Sequence, residues 1–168
     1  MEQTLQVLNE LKQAGILRDY ALGGAIALLF YTEPANTYDL DVFCLLPEAS
    51  HPLVTLTPIY DWLRARNFEE DKEHVLIHGI PVQFIPAYNA LVTEAVGRAA
   101  EMTFHQTPVR VLTLEHLLAI MVQTGRTKDK LRALQVAEDA ALAPTALQDI
   151  LARHGLAERW QRWQAETA

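Results

Sequence analysis

The chain has 168 residues, 50% of them hydrophobic and 21% charged, with 14 Lys and Arg against 21 Asp and Glu. That is enough apolar material for one packed domain, and the net charge of −7 disfavours bulk binding to duplex nucleic acid or to an anionic membrane. A single cysteine, Cys44, excludes an intramolecular disulfide and a cysteine-rich zinc site. An N-terminus without a targeting pattern and the lack of an apolar run of about 18–20 residues lead us to expect a cytoplasmic protein.

Leu5, Leu8, Leu11 and Ala14 share one stripe and predict a helix over 3–14, stopped by Gly15. Residues 19–22 read as a short strand running into Gly23-Gly24, and 25–31 as an apolar helix, followed by a turn at 33–36. From Tyr38 to Leu46 the chain alternates with period two, Leu40, Val42 and Cys44 on one face and Asp39, Asp41 and Phe43 on the other, so a strand is expected. Thr57-Pro58 opens a helix to about Arg66. The segment 69–73 is expected to be a charged loop. Runs 74–77 and 80–85 form a hairpin around His78-Gly79, 88–100 a helix and 109–112 a last short strand. Thr113 is a natural N-cap for a helix over 114–123. Further helices follow over 127–141, from Pro144, and along the stripe Leu156, Trp160 and Trp163. The expected architecture is an α/β (α+β) core over 1–112, a mixed sheet flanked by helices, with a helical extension over 113–168 packed on it as one compact unit.

Several reaction classes are missing their signatures. Ser50 is the only serine and lies in no G-x-S-x-G, and there is no P-loop, dinucleotide-binding or zincin motif. What remains is D-x-D. On a strand, Asp39 and Asp41 point to the same side, about 6–7 Å apart. Two like charges held together are costly unless a cation joins them, so the pair is a candidate Mg²⁺ (or Mn²⁺) site, or simply two strand-end aspartates facing water. Gly23-Gly24 lets backbone approach a phosphate closely, or is only a tight turn. Lys128 and Arg132 share a helical face, with Arg126 just ahead of it, which by itself reads as a solvated helix surface.

Together, Leu22-Gly23-Gly24 followed by Asp39-Leu40-Asp41-Val42 resembles the nucleotidyltransferase superfamily with the DNA polymerase β-like fold. The likeness is to its small bacterial minimal and AbiEii-like members. Gly125-Arg126-Thr127-Lys128-Asp129 resembles the R-x-K-D element found downstream in several of these families. The resemblance spans about residues 1–140. It implies that Asp39 and Asp41 are catalytic metal ligands, that Gly23, Gly24, Arg126 and Lys128 bind the nucleotide, and that the reaction passes a nucleoside monophosphate from an NTP to a hydroxyl of a small molecule, protein or RNA.

The chain departs from that pattern at Gln83, which stands where active members supply a third carboxylate. Glutamine cannot take a proton and is a poor metal ligand. An alternative to an active enzyme is therefore carried, a catalytically impaired nucleotide-binding or protein-interaction module; a variant of the active reading is a toxin-like tRNA nucleotidyltransferase with an antitoxin partner. The expectation for other side chains is modest. His74 and His78 read as surface residues too far apart on a hairpin to share an ion, Cys44 as a buried thiol, and Trp160 and Trp163 as packing anchors. Charge is uneven: residues 1–109 carry 6 basic and 14 acidic side chains, residues 110–168 carry 8 and 7. The relatively basic extension includes Arg126, Lys128, Lys130 and Arg132, and a local basic wall opposite an acidic metal site is what an Mg²⁺-nucleotide cleft would require, so a small RNA acceptor is disfavoured rather than excluded.

Overall fold

The structure, a computed structural model, describes residues 1–32, 37–48, 55–139 and 142–166. In chain order its elements are α1 (Glu2–Gln13), β1 (Asp19–Leu22), α2 (Gly24–Leu28), β2 (Leu40–Leu45), α3 (Thr57–Arg64), β3 (Glu69–Asp71), β4 (His74–Ile77), β5 (Ile80–Pro86), α4 (Ala90–Gly97), β6 (Ala100–Phe104), β7 (Thr107–Val111), α5 (Leu114–Thr124), α6 (Thr127–Asp139), α7 (Pro144–Arg153) and α8 (Ala157–Ala165). The described strands form one mixed sheet in the order β3-β4-β5-β2-β1-β7-β6.

The most apolar strands are central. Tyr20, Ala21 and Leu22 of β1 have no exposed surface. Strand β2 runs antiparallel to β1, while β5 is parallel to β2 and β7 parallel to β1. The flanks are built from hairpins. His78 and Gly79, at φ 50° and 80°, turn β4 into β5, as a two-residue turn matched to strand twist requires. Leu5, Leu8 and Leu11 of α1 are fully buried, and α1 packs on β1 and β7. A single buried cluster continues through Leu91 of α4 and Leu118 of α5 to Leu151 of α7 and Trp160 and Trp163 of α8.

Two strands were not legible. Residues 69–71, expected in a charged loop, form edge strand β3 antiparallel to β4. All three side chains are exposed, so no apolar alternation marks the strand, and the acidic residues guard its open edge. Strand β6 lies where the sequence suggested a helix end: α4 stops at Gly97, and Ala100–Phe104 pairs with β7 as an edge with alternate residues exposed. The helix expected over 25–31 is only the five-residue α2. The turn at 33–36 and the last two residues of the helix expected over 127–141 lie outside the described residues. No helix among the described residues is long and apolar enough to cross a membrane.

Candidate active site

A cleft of about 900 Å³ opens between the sheet and helices α5 and α6. Strand β2 begins at Leu40, so Asp39 stands just ahead of it rather than within it, and Asp41 is its second residue. Both line the cleft. Asp39 is exposed, and Thr37 Oγ1 donates to its Oδ1 at 3.1 Å. Asp41 is half-buried. Burial raises the pKa of Asp41 above the ordinary carboxylate value, and the neighbouring Asp39 raises it further, while His74, Lys128 and Arg126 pull it down. The two carboxylates therefore sit close enough to repel, in a place where a cation relieves both burial and repulsion.

The glycines belong to this arrangement, though not equally. Gly24 lines the cleft at φ 58°, and a Cβ there would lie 2.0 Å from Asp41 Oδ2. Its missing side chain is the space the Asp41 carboxylate occupies. Gly23 sits behind it: a Cβ there would lie 2.2 Å from the Phe43 ring, and its N–H donates to the Asp41 carbonyl oxygen at 2.9 Å. Gly23 thus fixes how β1 and β2 meet, and it does not line the cleft.

The sheet register continues the site sideways. Gln83 of β5 lies opposite Asp41. Val75 pairs with Val82, and continuing that register by one residue places His74 opposite Gln83. Asp71 of β3 pairs with His74. All four side chains line the cleft, so Asp41, Gln83, His74 and Asp71 form one row across four strands, spaced by about 4.8 Å per strand. The Gln83 Nε2 donates to Glu73 Oε2 at 3.2 Å. A carboxylate accepts only, so this bond decides the amide's orientation and leaves Oε1 directed elsewhere. His74, expected at the surface, is half-buried in the cleft wall. Its signal in the sequence was its period-two position on a strand adjacent to Gln83. Strand order was needed to read it.

The opposite wall is basic. Gly125 ends α5 in the left-handed conformation at φ 74°. Arg126, Lys128 and Arg132 then line the cleft. Arg126 Nε donates to Oδ2 of the buried Asp129 at 2.7 Å, which orients the guanidinium at the start of α6. Lys128 and Arg132 make no ion pair with any other described residue, so their charge is available to an anion in the cleft.

No protein-family model and no functionally curated protein matches the sequence. Among the solved structures that match is an antigenic nucleotidyltransferase-like protein from Paracoccidioides brasiliensis, at TM-score 0.53 and 16% identity, covering 95% of this chain and 92% of that one. The chain has the nucleotidyltransferase-like fold. Two structures of the antibiotic-resistance factor ANT(2″)-Ia, one in complex with adenylyl-2″-tobramycin, are more distant. They have TM-scores of 0.47 and 0.46 and identities of 11% and 13%, covering 98% and 99% of this chain and 98% and 95% of theirs.

Within the nucleotidyltransferase-like fold, Gly24, Asp39, Asp41, Gln83, Arg126 and Lys128 line one cleft, and Gly23 does not. The sequence reading missed His74, Thr37 and Tyr88. Among the described residues no group of three or more His, Cys, Asp or Glu side chains is placed to hold a metal ion. Two hard-oxygen donors are still a fitting protein contribution for Mg²⁺, which commonly keeps one or two carboxylates and takes its other oxygens from phosphates and water.

Elsewhere the side chains are structural. Burial pushes the Cys44 thiol up to about 12, so it is an inert core residue. Trp160 and Trp163 are buried in the core. His116, unassigned from sequence, is buried between Thr113 and Glu94: its Nδ1 lies 2.7 Å from Thr113 Oγ1 and its Nε2 3.3 Å from Glu94 Oε1. Glu94 also accepts two hydrogen bonds from Arg153, at 2.6 and 2.8 Å, and lies 2.9 Å from His154 Nε2. This node ties α4 to α5 and to the end of α7.

Proposed function

We propose that the protein transfers a nucleoside monophosphate from an NTP to a hydroxyl acceptor, with Mg²⁺ held by Asp39 and Asp41. The observation that carries this reading is the half-buried Asp41 carboxylate, set against the backbone of Gly24 and facing Lys128 and Arg126 across one cleft. An anion-binding wall opposite a carboxylate pair is what a metal–triphosphate complex requires.

When bound, Mg²⁺ would neutralise charge on the phosphate oxygens. Lys128 and Arg126 would hold the triphosphate by charge-assisted hydrogen bonds, with Asp129 keeping Arg126 in place. Gly24, with no side chain, leaves the Asp41 carboxylate its place at the metal. The acceptor hydroxyl approaches from the Gln83 side. Its oxygen bonds to the α-phosphorus as the bond to the bridging oxygen breaks, and pyrophosphate leaves with that electron pair. Gln83 Oε1 can accept a hydrogen bond from the acceptor but no proton. His74, the next side chain in the row, can take the proton.

The test is direct. A panel of NTPs with Mg²⁺ or Mn²⁺ should raise the melting temperature of the protein, and Asp41→Asn should abolish the shift. Absence of any shift across the panel would defeat the reading. Gln83 supports a second reading, a module of the same fold that binds nucleotide without turnover. Pyrophosphate release from a bound NTP with any acceptor rules that out.

A further inference from the structure

Part of the cleft lining is uncharged: Tyr88, Ile120, Met121 and Thr124 line it together with the acidic and basic groups. Tyr88 is 57% exposed, which is unusual for a ring directly following a core strand; among the described residues, Leu29, Tyr38 and Leu131 are the other large apolar side chains so exposed. The position is nevertheless fixed. The next residue, Asn89, caps α4 by accepting from the Val92 N–H at 2.9 Å, and its Nδ2 donates to Gln123 Oε1 at 2.7 Å. The Tyr88 hydroxyl faces Thr124, and Arg126 acts electrostatically on both Tyr88 and Asp41. A clamped, solvent-facing ring therefore stands beside the cation that faces the carboxylate pair. Ile120 and Met121 of α5 line the same cleft and are 8% and 6% exposed.

We propose that Tyr88 is the platform on which the nucleobase of the bound NTP stacks, in the cleft that Ile120 and Met121 also line. The inference deepens the nucleotide-binding reading above and rests on it. A heteroaromatic base fits because Arg126 acts on both Tyr88 and Asp41, which places the ring beside a cation suited to the triphosphate, while Gln83 and His74, in register with Asp41, are polar groups suited to a hydroxyl acceptor. Stacking engages the π-face common to all bases. The site should therefore discriminate weakly, binding ATP, GTP, CTP and UTP within about tenfold of one another.

The experiment is titration calorimetry of the full chain, and of its Tyr88→Ala and Tyr88→Phe variants, with ATP and Mg²⁺, and with inorganic tripolyphosphate and Mg²⁺ as a probe lacking a base. Thermal unfolding confirms that each variant is folded. The expected result is a roughly 5- to 150-fold weaker ATP affinity for Tyr88→Ala, near wild-type affinity for Tyr88→Phe, and unchanged tripolyphosphate binding in both. If Tyr88→Ala binds ATP as the wild type does, or loses ATP and tripolyphosphate equally, the stacking platform is wrong while nucleotide binding stands. If the wild type binds neither probe, the nucleotide reading itself has failed and the platform falls with it.

Discussion

Gln83 stands directly opposite Asp41 in the parallel pairing of β2 with β5, and Glu73 holds its amide nitrogen at 3.2 Å. A neutral oxygen thus occupies a place beside two carboxylates. Gln83→Asp would put a third like charge in the row, next to Asp41 and Glu73. We expect the metal-free variant to melt lower by a few degrees near pH 8, and Mn²⁺ without nucleotide to bind about tenfold more tightly than to the wild type. Electron paramagnetic resonance titration of Mn²⁺ and thermal unfolding measure the two effects. Unchanged Mn²⁺ affinity would mean that position 83 does not face the metal.

Asp41→Asn should stabilise the protein while removing nucleotide binding. The folded-state pKa of Asp41 is raised, chiefly by burial and then by Asp39. Its native-state contribution is therefore favourable while it is protonated and is lost as pH rises through the folded pKa. The variant should melt a few degrees above wild type at pH 8, with the gain shrinking as pH falls and gone below about 3.9, where Asp41 is protonated in both folded and unfolded chains. Differential scanning calorimetry across that range checks the sign.

Gly24→Ala should act in the opposite way. Alanine at φ 58° costs about 1–2 kcal/mol in backbone strain, and its Cβ would displace the Asp41 carboxylate. A melting point lower by several degrees is expected, with loss of the MgATP-induced shift and an unchanged far-ultraviolet circular dichroism spectrum. Retention of full MgATP affinity would show that Asp41 can bind from another position.

His74→Asn separates proton transfer from binding. Turnover, followed as pyrophosphate release once an acceptor is found, should fall about 10²-fold or more, with MgATP affinity within about threefold of wild type. Equal loss of both would place His74 in nucleotide binding.

The Glu94 node predicts acid lability. Burial lowers the His116 pKa, outweighing the Glu94 carboxylate that raises it. The folded chain thus keeps a neutral ring, with Nε2–H donated to Glu94, while the unfolded chain protonates. Stability should fall as pH drops through about 6.5. Arg153, with His154 and His116, holds Glu94 well below the usual carboxylate range. Its contribution is present above about pH 4.3 and is lost on further acidification. Glu94→Gln should cost about 2–3 kcal/mol at pH 7, seen as a melting point lower by roughly 5–10 °C. A variant as stable as wild type would show that the node is ornamental.

Much of the fold was legible because its central elements carry strong periodicity. The alternation through Leu40, Val42 and Cys44, the α1 stripe and the Thr113 cap were read from local pattern, and the structure places each as expected. The edge strands β3 and β6 were not legible, because an edge strand exposed to water has no apolar face to reveal its period. The same division runs through the candidate site. Gly24, Asp39, Asp41, Arg126 and Lys128 belong to short motifs whose chemistry is local, so residue type and spacing sufficed to nominate them. The charge of −7 and its split between an acidic first part and a relatively basic extension were likewise properties of composition. Tertiary structure alone decided that the acidic and basic parts face each other across one cleft. It also decided that Gly23 packs under Phe43 while Gly24 makes room for a carboxylate, and that His74 and Tyr88 line the same cleft. Those relations depend on strand order and on which helix end meets which loop. They are set by burial summed over the whole core, which no window of sequence contains.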